Sequence, residues 1–348
     1  MLLNPPRLKW QPDGERDKEG NALPERFVVT SNPHIATTQT TERIMREVML
    51  ALLPASAAAV YFFGWRVLAV IAVSMVAAVC TEAIIQKALK QKTTIMDGSA
   101  ALTGLLLALT LPPTVPLWIP ALGAIFAIAI AKQVFGGLGS NPFNPALIGR
   151  AFLTASWPKL MSTWKWPHAA QSLVQQLSAS DAVSAASDVI SSATPLELAK
   201  SMEVQVPLEP LFWGNIAGSL GEVSAMALLA GGLYLIIRRI IDWRIPVAYL
   251  GTVAVIALIS RQDPLFHLLA GGLLLGAFFM ATDYVTSPIT RKGRVIFAIG
   301  AGLLTILFRR YGANSEGVCY SILIMNAFAP TIDRLTVPRI FGEVKGRA

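Results

Sequence analysis

Between residues 45 and 330 the chain alternates apolar runs with short loops, and that alternation is what most limits its fold. The runs cover about 45–63, 66–86, 98–111, 117–135 and 144–157. After a polar stretch come 211–237, 245–260, 265–282, 295–308 and 315–330. A helix needs about 20 mostly apolar residues to cross the hydrocarbon layer. In lipid the backbone must also satisfy its own hydrogen bonds, so helices are the natural reading of such runs. Soluble domains carry roughly a quarter charged residues; this chain carries 14%, with 54% hydrophobic. The sequence therefore predicts an all-α polytopic membrane protein of about ten transmembrane segments. Its expected parts are an N-terminal arm (1–43), a first membrane block (44–157), a long polar loop (158–210), a second membrane block (211–330) and a tail (331–348).

The net charge of +8 would suit a nucleic-acid partner in a soluble protein. Here the cations sit in short loops, where they orient a membrane protein, and lipid is the expected neighbour. With the N-terminus inside, the inner side holds seven Lys/Arg up to Arg46, then Lys87, Lys90, Lys92, Lys132, Arg150, Arg238, Arg239, Arg244, Arg291, Lys292, Arg294, Arg334, Arg339, Lys345 and Arg347. The outer side holds Arg66, Lys159, Lys165, Lys200, Arg261, Arg309 and Arg310, a split of 22 to seven. Both termini are then expected in the cytoplasm and the 158–210 loop in the periplasm of a bacterial inner membrane. The arm has Pro5, Pro6, Pro24 and Pro33 as breakers and reads as cytoplasmic, with no targeting segment.

A weak internal repeat, offset by about 170 residues, relates the two blocks. Leu102-Thr103-Gly104-Leu105-Leu106-Leu107 resembles Leu269-Ala270-Gly271-Gly272-Leu273-Leu274-Leu275. Gly139-Ser140-Asn141-Pro142 followed by Arg150-Ala151-Phe152 resembles Gly312-Ala313-Asn314-Ser315 followed by Asn326-Ala327-Phe328. Two five-segment halves have opposite topology because five is odd. The expected plan is two inverted repeats with the functional centre at their interface.

Two cysteines, Cys80 and Cys319, are too few for the four thiolates of an iron–sulfur cluster. His34, His168 and His267 are too scattered for a metal site. Chemistry resides elsewhere. In the polar loop, Asp188-Val189-Ile190-Ser191-Ser192-Ala193-Thr194 fits the pattern Asp-x-x-[Ser/Thr]-x-Ala-Thr. At that pattern a flavin transferase joins FMN to the final threonine through a phosphoester. Thr194 offers the hydroxyl, Asp188 a recognition handle, and Ser191 and Ala193 small residues that allow close approach. A chance match in a chain this long is on the order of one in a hundred.

Gly136-Gly137-Leu138-Gly139-Ser140-Asn141-Pro142-Phe143-Asn144-Pro145 breaks helical backbone at membrane depth, which survives only where it is buried or lines a cavity. It reads either as a structural kink or as the lining of a cofactor or ion path. Asp283, in Met280-Ala281-Thr282-Asp283-Tyr284-Val285-Thr286-Ser287-Pro288, and Asp97 in the first half read as helix caps or as contacts to a cofactor, a neighbouring protein or an ion. Glu82 and Glu222 lie within apolar runs, where carboxylates are costly and commonly functional.

With these motifs the chain resembles the D-type membrane subunits of the Rnf complex, a membrane-bound ion-translocating ferredoxin:NAD⁺ oxidoreductase. It is more distantly similar to the B-type membrane subunits of the Na⁺-translocating NADH:quinone reductase. The segments carrying the resemblance are Gly137–Ala146, Ala281–Pro288 and the motif ending at Thr194. The resemblance implies an electron-transfer subunit with FMN covalently held on Thr194 and facing the periplasm. It implies electron flow between ferredoxin and NAD⁺ coupled to Na⁺ or H⁺ movement. A second, non-covalent flavin (riboflavin in the quinone reductase) would sit inside the helix bundle. Asn141, Asn144, Asp283, Asp97, Glu82 and Glu222 are the candidates for that flavin or for an ion path. The expected partners are the other Rnf subunits, on which ferredoxin and NAD⁺ react, and the flavin transferase during maturation. The alternatives are a secondary transporter or channel without redox role, and a redox-inert membrane anchor.

Overall fold

The computed structural model describes residues 40–91, 93–167, 194–201, 207–312 and 317–338, and no strand occurs among them. The flavinylation residues Asp188, Ser191 and Ala193 lie outside the described residues.

The first half begins with α1 (Thr41–Phe63) and α2 (Arg66–Ala88), both long and apolar enough to cross a membrane. They reverse direction through Gly64, whose φ of +84° lies in the left-handed region that glycine enters without penalty. Leu50, Tyr61, Leu68, Val76 and Ile84 on these helices are exposed. A soluble surface would not carry such a belt of large apolar side chains; a lipid-facing one does.

α3 (Ser99–Leu109) runs back along α2. Gly104 allows the approach: a Cβ there would stand 2.7 Å from the Met75 Cα. The Ser74 hydroxyl closes the contact by donating to the Gly104 carbonyl at 2.7 Å. Small residues let helix backbones meet in this way where no hydrophobic force separates lipid from protein.

At about 1.5 Å per residue, α3 spans only about half of the hydrocarbon layer. Pro112 and Pro113 stop it by removing donors. The freed carbonyls are then satisfied from elsewhere in the bundle, which is what permits a break at this depth. Leu109 O accepts from Gly221 N at 2.6 Å, Leu111 O from Leu220 N at 3.0 Å, and Thr110 O from Arg150 Nη1 at 2.9 Å.

α4 (Trp118–Phe126) continues as a π-helical stretch over Ala127–Gln133. α5 (Pro145–Ser156) follows the Asn-Pro-Phe-Asn-Pro break, and α6 (Pro158–Met161) ends the half. The start of α2 and the loops after α3 and α6 meet at one end of the bundle, where Arg66 bonds the Val115 carbonyl and Thr114 bonds the Thr163 carbonyl. We call this the far end and the start of α1 the near end.

Within the C-terminal part of the polar loop lies α7 (Pro195–Ser201), and α8 (Leu208–Trp213) leads out of it. The run expected from 211 becomes helical only at α9 (Ala225–Ile237), because residues 214–224 remain irregular to cap α3. α9 packs on α1, where Glu47 accepts from Tyr234 and Arg238. α10 (Arg244–Ile259) packs on α13 (Arg291–Tyr311), which in turn packs on α14 (Val318–Thr336). A buried triad of hydroxyls from Tyr249, Thr305 and Ser321 joins these three helices. The α13 helix outruns its apolar core because its ends are basic, with Arg291, Lys292, Arg294, Arg309 and Arg310.

The run expected at 265–282 is broken. α11 (Pro264–Leu269) stops before Gly271, and α12 (Leu273–Leu275) leads into a second π-helical stretch over Gly276–Met280. Here too an arginine takes up the freed carbonyls. Arg309 Nη1 donates to His267 O at 2.6 Å and Nη2 to Ala270 O at 2.9 Å. Each half thus carries a broken segment whose open carbonyls are closed by a guanidinium.

Three cations read above as loop charges are in fact interior. Lys132, Arg150 and Arg309 are buried. Each is bound to a carboxylate or to broken-helix carbonyls, contacts that no linear charge count can see. Removing them from the tally leaves the excess of inner charge standing.

Candidate functional site

Thr194 sits at the start of α7. The residues Thr194-Pro195-Leu196-Glu197 form a capping box: the Thr194 amide donates to Glu197 Oε2 at 2.9 Å, and the Glu197 amide donates to Thr194 Oγ1 at 3.3 Å. Proline at the first helical position fits, since its missing donor would be unused there. Thr194 is 4% exposed. The capping box and a local apolar cluster hold this acceptor in place. Leu196 and Leu198 pack with Trp164, Trp166, Leu211 and Ile216. The spacing Thr194-Pro195-Leu196-Glu197 is the sequence signal for this cap.

Glu197, the cap partner, also lines a cavity of about 350 Å³ together with Arg150, Thr154, Trp164, Cys319 and Tyr320. That volume falls within the roughly 300–1,000 Å³ of small-molecule sites. Two aromatic rings offer stacking and Arg150 offers positive charge, while the Glu197 carboxylate is engaged by the Thr194 amide. The Trp164 Nε1 is buried without a hydrogen-bond partner. The residues present therefore fit a flavin phosphoester anchored at Thr194.

A second group lies toward the near end. Glu82 Oε1 accepts from Lys132 Nζ at 2.7 Å, Gln133 Nε2 at 2.9 Å and Gln86 Nε2 at 3.3 Å, while its Oε2 is buried without a partner. Lys132 also donates to Ser99 Oγ at 2.6 Å, and that hydroxyl donates to Asp97 Oδ1 at 2.7 Å. Asp97, Ser99, Lys132 and Glu82 thus form one chain across α2, α3 and the first π-helical stretch. Lys132 escaped the sequence reading because it was counted as a loop charge.

Ser99 and Lys132 also border a smaller cavity, about 80 Å³, with Asn141, Asn144, Thr282 and Asp283. The structure therefore brings the Asn141–Pro145 break and Asp283 to one place between the halves. Asn144 caps α5 by accepting from Ala146 N at 3.0 Å and reaches across to the Met280 carbonyl at 3.3 Å. Asp283 accepts from Val285 N at 3.4 Å and from the Thr286 hydroxyl at 3.1 Å. These bonds make it a turn-forming residue as well as a cavity wall.

Asp283→Asn keeps volume and one acceptor. Loss of one partially buried hydrogen bond costs about 1 kcal/mol, so assembly should survive. Ion-coupled electron flow should fall further than the amount of assembled complex does. Equal declines, measured in vesicles, would leave Asp283 a turn residue only.

Glu222 stands apart from this group. Its Oε1 lies 3.8 Å from Arg150 Nη1, too far for a hydrogen bond, and is buried without one. Among the described residues no three His, Cys, Asp or Glu side chains are grouped to hold a metal ion.

The family described as "NQR2, RnfD, RnfE family" matches residues 28–342. The chain is 50% identical over 323 residues to the D-type subunit of the Na⁺-translocating ferredoxin:NAD⁺ oxidoreductase complex of Acetobacterium woodii, covering 92% of this chain and 96% of that one. It is 46% identical over 333 residues to the D-type subunit of the proton-translocating ferredoxin:NAD⁺ oxidoreductase complex of Clostridium ljungdahlii, covering 91% and 96%. It is 40% identical over 351 residues to the D-type subunit of the ion-translocating oxidoreductase complex of Escherichia coli, covering 92% and 99%.

Proposed function

Because the chain belongs to the NQR2, RnfD, RnfE family, we propose that it is the membrane electron-relay subunit of an ion-translocating ferredoxin:NAD⁺ oxidoreductase, with FMN esterified to Thr194. The observation that carries this reading is the Asp188–Thr194 pattern ending on a hydroxyl whose cap partner lines a cavity of flavin size. When bound, FMN supplies one- and two-electron chemistry to which the protein adds tether, orientation and electrostatics. Thr194 provides the tether oxygen, and Glu197 fixes the backbone that bears it. Trp164 and Tyr320 line the cavity with aromatic surface, and Arg150 supplies positive charge.

Ferredoxin and NAD⁺ react on neighbouring subunits in this reading. The chain of Asp97, Ser99, Lys132 and Glu82, with the cavity holding Asp283, contributes to Na⁺ or H⁺ movement or to a second, non-covalent flavin. Similar chains carry names with different ions, so similarity to them does not select one. A transporter without redox role explains the broken helices but not the flavin pattern. In a denaturing gel under ultraviolet light, the chain co-expressed with a flavin transferase should give a fluorescent band; a dark band would favour the transporter.

The architecture proposed is ten segments in two inverted five-segment halves, with both termini cytoplasmic and the 158–210 loop periplasmic. The inner excess of Lys and Arg supports it, as do the paired broken segments. Alkaline phosphatase fused near Lys200 should be active, and fused after Arg347 inactive. The reverse pattern would overturn the orientation.

A further inference from the structure

The proposed ester accounts for Thr194 but not for the buried pairing of Arg150 with Glu222. Arg150 is 9% exposed, and Glu222 is 3% exposed. Arg150 faces two ways: it lines the cavity beside the Thr194 cap, and it pairs at 3.8 Å with Glu222 Oε1. Its Nη1 is fixed by the Thr110 carbonyl, so the guanidinium is held in place. Glu222 also packs on Gly272, where a Cβ would stand 2.7 Å from Oε1, so a larger residue there would displace this carboxylate. Glu222 is thus seated between Arg150 of the first half and the broken segment of the second.

We propose that the 350 Å³ cavity is where the flavin held on Thr194 docks, and that Arg150 and Glu222 together set its reduction potential, Arg150 raising it and Glu222 lowering it. The proposal rests on the covalent-flavin reading. Each electron, supplied by a one-electron carrier on a neighbouring subunit, adds a negative charge in the cavity. A fixed cation in the cavity wall favours that charge, strongly so where water is excluded. Glu222 offsets part of the cation's field, because its Oε1 faces the same guanidinium at 3.8 Å and is buried without a hydrogen bond. Arg150 is a positioning and field residue here, with no part in making or breaking bonds.

The test is redox titration of the covalent flavin in the intact complex, after its presence is verified by in-gel fluorescence. Arg150→Gln should disfavour one-electron reduction at least tenfold, a shift of about 59 mV to lower potential. Arg150→Lys should recover most of that shift. Glu222→Gln should move the potential the opposite way, because the cation is no longer offset. If Arg150→Gln fails to assemble, because Thr110 has lost its donor, Glu222→Gln decides alone. An upward shift supports the proposal and an unmoved potential overturns it. A flavin band with potentials unchanged in all variants removes the role of the pair and leaves the ester standing. Absence of flavin from the unmodified chain removes both.

Discussion

Lys132→Met is expected to cost about 3–5 kcal/mol of stability, the typical loss when one partner of a buried ion pair is removed. Both side chains are almost fully enclosed, at 2% and 1% exposure. The remaining carboxylate would keep its bonds from Gln133 and Gln86 but lose its only counter-charge among the described residues. Natural domains are stable by only about 5–15 kcal/mol, so the loss is a large share of the margin. It should appear as a lower midpoint in thermal unfolding and as less chain in the membrane. The pair variant Glu82→Gln with Lys132→Met removes both charges at similar volume and should recover most of the loss. A single variant as stable as the unmodified chain would show that Glu82 is compensated in another way. A recovered pair variant that assembles but couples no ion flux would assign the ion pair to transport.

The second large effect concerns Thr194. Thr194→Ala should abolish covalent flavin on this chain while leaving it inserted. The lost cap costs about 1 kcal/mol, and α7 is a seven-residue helix, not one of the two long and apolar enough to cross a membrane. Thr194→Ser keeps both the hydroxyl and the cap and should keep the flavin. In-gel fluorescence checks both variants, and a fluorescent band surviving in the alanine variant would refute Thr194 as the acceptor.

The long helices were legible because their signal is local. The apolar runs at 45–63 and 66–86 became α1 and α2 within a few residues. Hydropathy could not show where a run stops being helical. Residues 214–224 are apolar enough to read as helix, yet their amides are used by Leu109 and Leu111, over a hundred positions earlier. Lys132 and Arg150 failed for the same reason: a cation near the end of an apolar run looks like a boundary charge until its carboxylate partner is placed beside it. The shared cavity of Asn141, Asn144 and Asp283 was foreseeable in part because broken backbone at membrane depth must find polar company. The cavity next to Thr194 was not foreseeable. It is built from α5, α6, α7 and α14 together with the loop holding Trp164, and no motif links those segments.

The central claim is that Thr194 carries FMN, and the most direct measurement is mass spectrometry of the peptide containing it. The chain would be purified after co-expression with a flavin transferase. The account predicts a peptide heavier by FMN less one water, with fragments placing the addition on Thr194. An unmodified peptide, or the same addition on a different residue, would contradict it.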